Sequence, residues 1–167
     1  RPYSGTHLTV PPNLSLLGTM NTADRSIALL DAALRRRFAF VEIGPRPDLL
    51  EGATVETEEA VLHLDTLLRG LNDAIRRSLG ADHQIGHSYF LKVARAAPEE
   101  RLAMLELVWN NQVLPLLTEY FYTRRDLLAE ILAPFADESQ GDLFESPDVA
   151  ASARLSGEDL VVALSRI

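Results

Sequence analysis

The stretch GTMNTADRSIALLDAALRRRF, residues 18–38, gathers an asparagine, two aspartates and four arginines between two apolar runs. Asn21 follows directly on the first run. A carboxamide at the end of an apolar strand can orient a water for attack on a terminal phosphate and donate to a phosphate oxygen. Guanidinium groups such as those of Arg35, Arg36 and Arg37 stay charged and fork onto phosphate oxygens. Each group also has a plainer use. Asn21 can cap the helix that follows, Asp24 is placed to do the same, and cations at a helix end are favoured by its dipole at about 0.3–1 kcal/mol each. Three successive arginines point in three directions, so the dipole does not account for all of them. Further along, His87 and Ser88 stand in GHSYF with Lys92, the only lysine, close behind. His87 reads either as a contact to phosphate or base, or as a hydrogen-bonded packing residue beside aromatics.

The elements that must hold these groups follow from patterning. NLSLLGTM (13–20) is entered from Pro11-Pro12 and closed by Gly18 and polar residues, and predicts a short buried strand. RSIALLDAALRRR (25–37) spaces Ile27, Leu30, Ala33 and Leu34 as a helix does, with Asp24 or Ser26 capping its first turn. FAFVEI (38–43) predicts a second strand. Strand, helix and strand make a βαβ-sized unit, whose parallel pair belongs in a larger sheet. Two strands do not make a stable sheet alone, so the chain reads as part of something longer.

GPRPD (44–48) is a linker. Beyond it Val61, Leu64, Leu68, Leu71 and Ile75 predict a long helix from near Thr57 to Gly80. HQIGHSYFL (83–91) reads as an irregular connector. Pro98 opens a helix whose stripe is Leu102, Leu105, Trp109, Val113, Leu116 and Tyr120, with Pro115 expected to kink or split it. Trp109, Tyr120, Phe121 and Tyr122 are expected in the core. RRDLLAEILAPF predicts a short helix, the acidic ADESQGDLFESPD (136–148) a loop, and SGEDLVVALSRI a closing helix capped by Ser156. The fold class expected is mainly α with a small α/β remnant. Its divisions are residues 1–44, a helical region 45–136, and an acidic loop with a C-terminal helix, 137–167.

At 167 residues with 47% hydrophobic and 24% charged residues, the composition is that of a globular domain with a real core. No apolar run approaches the roughly 20 residues that span a bilayer, so no membrane partner is expected. Cysteine is absent, which removes disulfides and thiolate metal sites and makes a cytoplasmic location the default. The net charge of −8 is uneven. Residues 1–44 hold five arginines against three acids, a net +2; the remainder holds 11 cations against 21 acids, a net −10. Such an acidic surface is a poor grip for phosphate backbones, so DNA contact is expected through other parts of a longer protein.

These residues carry a resemblance. VPPNLSLLGTMNTADRSIALLDAALRRRFAFVEI resembles the second half of an AAA+ nucleotide-hydrolysing core, and more narrowly the McrB group, the GTP-dependent motor subunits of methylcytosine-specific restriction systems. IGHSYFL and VWNNQVLPLLTEYFY (108–122) are similar to that group's helical lid. The resemblance covers roughly Val10 to Tyr122. It implies that the strand–helix–strand piece ends an AAA+ core and that the helices after it are the lid. It assigns Asn21 the sensor-1 role, Arg36 the arginine finger reaching a neighbouring subunit, Arg37 its support, and Arg35 the least part. Asp31 orients one of them. Thr22 and Asp24 invite comparison with the guanine-reading NKxD of GTPases, while Asp24 and Arg25 also suit structural or interface roles. Where many AAA+ lids carry a sensor-2 arginine, His87 and Ser88 stand instead, and with Thr22 and Asp24 they complete the candidate nucleotide contacts.

The implied cofactor is GTP or ATP with Mg²⁺ in the full-length protein. The implied partners are identical subunits in a ring, a hexamer, together with a McrC-type nuclease subunit. No GxxxxGK[ST] and no apolar strand ending in Asp-Glu occur in the sequence, so this chain alone is expected neither to hold nucleotide tightly nor to hydrolyse it, and no metal ligands are assigned. Two other readings compete: a MoxR- or dynein-like ATPase that remodels protein complexes, and a non-catalytic helical adaptor that keeps the motif for assembly.

Overall fold

The computed structural model describes residues 10–20, 36–133 and 154–167. Contacts cluster into two compact units, Arg1–Phe38 and Ala39–Ile167. The described elements are mainly helical, and they lie in the second unit.

The chain enters this unit through a 3₁₀ turn at Pro47–Leu50, whose Leu50 is fully buried. A small antiparallel hairpin follows. Strand β1 (Thr54–Glu56) pairs with β2 (Val61–His63) in the register Thr54↔His63, Val55↔Leu62 and Glu56↔Val61. Thr57 closes the turn: its N–H donates to the Ala60 carbonyl, and its Oγ1 accepts from the Ala60 N–H at 3.1 Å. The hairpin corrects the expectation of helix from Thr57. A strand alternates its faces, so Val55 and Leu62 point inward while Val61, expected on the helical stripe, is exposed.

Helix α1 (Leu64–Leu79) then buries Leu64, Leu67, Leu68, Leu71 and Ile75 along one stripe. It ends at Gly80, whose φ of 93° lies in the left-handed region where a Cβ is penalised. Helix α2 (Ser88–Arg95) takes in the last four residues, Ser88–Leu91, of what the sequence presents as an irregular connector, and buries Phe90 and Val93. After a 3₁₀ turn at Pro98–Glu100 comes α3 (Arg101–Val108). A π turn at Trp109–Val113 leads into α4 (Leu114–Tyr120).

The run expected to kink or split at Pro115 is divided into α3 and α4 by this π turn, and Pro115 occupies the first turn of α4. Proline has no N–H to return to the carbonyl four residues back, and the wider π turn, closed by Leu114 N–H to the Trp109 carbonyl, accommodates that gap. The extra residue rotates everything after it. The buried positions become Leu114, Leu117 and Phe121, while Leu116 and Tyr120, expected on the stripe, are only partly buried and Tyr122 is exposed.

Helix α5 (Arg125–Ile131) contributes Leu128, Ala129 and Ile131 to the core. Helix α6 (Gly157–Leu164) contributes Leu160, Val161, Ala163 and Leu164 and packs against α3 and the hairpin. Ser156 stands at its N-cap position without a side-chain hydrogen bond. A carboxylate oxygen of Glu106 on α3 accepts the Gly157 N–H instead, and Asn110 donates to the Leu155 carbonyl at 3.2 Å. Fully burying each of these large apolar side chains is worth about 1.5–3 kcal/mol.

The strands expected over 13–20 and 38–43 are not formed. Leu16 is 73% exposed, Leu17 98% and Ile43 88%. A strand is held by ladder hydrogen bonds to a neighbour, and these runs have no neighbouring strand among the described residues. The helix expected over 25–37 and the loop over 136–148 fall wholly or largely outside the described residues.

Candidate functional site

The sequence places its candidate groups in two regions. Asn21, Thr22 and Asp24, with Arg25, Asp31 and Arg35, lie outside the described residues. Arg36 and Arg37 are in a turn at the end of the first unit, and both are exposed. Exposed guanidiniums keep their fork of donors free to meet an anion from outside.

His87 and Ser88 belong to the second unit, at the start of α2, with His87 partly buried and Ser88 exposed. The carbonyl of His87 accepts the N–H groups of Phe90 and Leu91 at 3.1 and 3.2 Å, which begins the helix. Its Nδ1 accepts the backbone N–H of Arg46 at 3.2 Å. That bond leaves Nε2 as the remaining polar atom of a neutral ring.

Two residues upstream, Ile85 is gripped at both backbone groups by Asn72 of α1. The Asn72 Nδ2 donates to the Ile85 carbonyl at 2.9 Å and its Oδ1 accepts the Ile85 N–H at 2.6 Å. Asn72 is only 3% exposed. Asn72 went unremarked in the sequence; the signal that could have found it is the polar break in the α1 stripe next to Leu71, though nothing there points to its partner.

Arg101, also unremarked in the sequence, donates to the carbonyls of Thr54, Ala94 and Ala96. It ties the end of α2 to the hairpin, where a cation suits the helix C-terminus. With Arg95 it lines a shallow cavity of about 370 Å³ whose other walls include Leu49, Glu51 and Leu91. Around the other histidine of this region, His83 meets Tyr120 edge to face with ring centroids 5.2 Å apart. Burial, then the nearby Tyr89 and Glu119, push the Tyr120 phenol above its ordinary value. Among the described residues no group of three His, Cys, Asp or Glu side chains is placed to hold a metal ion, and no helix is long and apolar enough to cross a membrane.

The helical body built around α1 to α5 matches the family described as McrB, alpha-helical lid domain, over residues 63–129. The chain carries a McrB-type lid. The match begins at the last residue of β2 and ends inside α5, so it takes in the Asn72 clamp, His87 and the π turn. The chain is also 35% identical over 121 residues to the type IV methyl-directed restriction enzyme EcoKMcrB subunit of Escherichia coli (strain K12). That alignment covers 68% of this chain and 26% of the relative, so the chain spans about a quarter of the McrB subunit it matches. The chain is thus McrB-like, with α6 lying beyond the lid match.

Proposed function

We propose that this chain is the C-terminal part of a McrB-like AAA+ subunit, and that it supplies catalytic side chains and a lid to nucleotide hydrolysis in a cytoplasmic ring. The observation that carries the reading is the McrB lid match within a chain that also holds the GTMNTADRS…RRRF string before it. GTP or ATP with Mg²⁺ would supply the phosphoanhydride whose hydrolysis yields the energy. Asn21 orients the attacking water through its carboxamide. Arg36, with Arg37 beside it, reaches a neighbouring copy's site and neutralises charge on the transferring phosphoryl group; such a finger is worth about 10³–10⁵ in rate. The exposed guanidiniums fit that demand, whereas the Nδ1 engagement of His87 leaves it only a neutral Nε2 to offer a nucleotide. Thr22, Asp24 and Ser88 complete the proposed contacts.

Nucleotide hydrolysis in a hexamer would then drive DNA movement, with a McrC-type subunit cutting. In the full-length protein, Arg36→Ala is expected to assemble yet lose turnover. Mixing it with a variant lacking the phosphate-loop lysine is expected to restore part of the activity, because intact fingers then meet intact phosphate sites. Turnover measured across such mixtures checks this, and no recovery at any ratio removes the finger acting between subunits.

A further inference from the structure

Between Pro45 and Pro47 the backbone offers one N–H, that of Arg46, because proline has none. That single donor reaches Nδ1 of His87, 41 residues away in the chain. The Arg46 side chain is engaged separately: its Nε and Nη2 donate to the Asp48 carboxylate, the closest approach being 2.6 Å. His87 is itself held on both sides. Upstream, Ile85 is locked to Asn72; downstream, the His87 carbonyl starts α2. The linker runs into the Pro47–Leu50 turn, which sinks Leu50 into the core. A proline-stiffened segment is thereby tied to the lid at two points, a buried leucine and one hydrogen bond to an imidazole.

We propose that His87 is a positioning residue: its Nδ1 latches the Pro45–Asp48 linker to the first turn of α2, so that linker and lid behave as one rigid lever. An imidazole suits this use because its neutral form presents a fixed acceptor at Nδ1 while Nε2 carries the proton. The latch stands on this chain's own geometry. Its effect on catalysis rests on the McrB-like reading above, and the two are tested separately.

In the 167-residue chain, hydrogen exchange at the Arg46 amide reports the latch directly. His87→Ala is expected to speed that exchange roughly tenfold or more while the Ile85 amide, held by Asn72, stays protected. His87→Asn, whose side-chain oxygen can take the place of Nδ1, is expected to restore protection. Arg46→Ala keeps the N–H and should leave protection in place. In the unsubstituted chain, nitrogen NMR should show His87 protonated at Nε2. An Nδ1-protonated ring, or an Arg46 amide that exchanges equally fast with and without His87, overturns the latch, and the first of these needs no variant to fold.

In the full-length protein His87→Ala is expected to lower kcat with little change in the nucleotide KM, and His87→Asn to recover it. A raised KM in both variants, with the Arg46 amide still protected in His87→Asn, would make His87 a nucleotide contact and overturn the positioning role.

Discussion

Asn72 acts by satisfying two backbone groups that would otherwise be buried without partners. Asn72→Ala strands both the N–H and the carbonyl of Ile85, and each orphaned buried group costs about 1–3 kcal/mol. The expected loss is therefore about 3 kcal/mol in denaturant unfolding, larger than that of the same change at an exposed α1 position such as Asp73. Asp48 tests a different balance. The hydrogen bond from Arg46 holds its carboxyl below the ordinary carboxylate value, with desolvation opposing and the Coulomb attraction of Arg46 adding to the lowering. A carboxyl whose folded value is depressed lends stability above its unfolded value, near 3.9, and loses it as pH falls through the folded one. The pair is exposed and screened, so the effect on stability is small. Following the Asp48 carboxyl by NMR should place its midpoint below that of a free aspartate, and Arg46→Ala should return it there. Asp126 beside Arg124 repeats the arrangement.

At the scale of elements, the π turn decides which face of α4 meets the core. A strict 3.6-residue count carries the stripe from Val113 to Leu116 and Tyr120, yet the buried positions are Leu114, Leu117 and Phe121. One residue more in the turn moves the face by about 100°. Removing the exposed Asn111 should convert the π turn to regular helix and leave Leu117 and Phe121 on the core face, because the strict count from Trp109 then lands on them. The expected cost is small, about 1 kcal/mol or less, since the large side chains keep their packing. Thermal unfolding with the Trp109 fluorescence as probe checks this. A midpoint lowered by many degrees would mean that the π turn does not simply absorb one extra residue. Helix α6 shows a comparable dependence on its surroundings. Its first N–H, that of Gly157, is met by Glu106 from another helix, while Ser156 at the N-cap position makes no side-chain capping bond.

For the molecule as a whole, α6 draws the last residues back onto α1. A Cβ on Gly70 would stand 2.8 Å from the carbonyl oxygen of Ile167, nearer than such contacts occur. Alanine in a helix interior normally gains about 1 kcal/mol over glycine. Gly70→Ala is nevertheless expected to destabilise this chain by about 1 kcal/mol, because the clash outweighs the propensity. A rise in melting temperature would show that the terminal residues move aside freely.

The stripe of α1, its stop at Gly80, the helices α5 and α6 and the mainly α class follow from the sequence alone, because apolar periodicity and a left-handed glycine act over a few neighbouring residues. Only the tertiary structure decided the rest. The hairpin at 54–63 is too short for its alternation to outvote a helical pattern, and it is recognisable only once Val55 and Leu62 meet the core. The π turn lies where Trp109 and Val113 are both fully buried, and no local count reveals it. The tie from His87 to Arg46 joins residues far apart in the chain, so no local spacing announces it. The segments 13–20 and 38–43 have the composition of strands, but composition cannot supply the neighbouring strand whose hydrogen bonds would make them so.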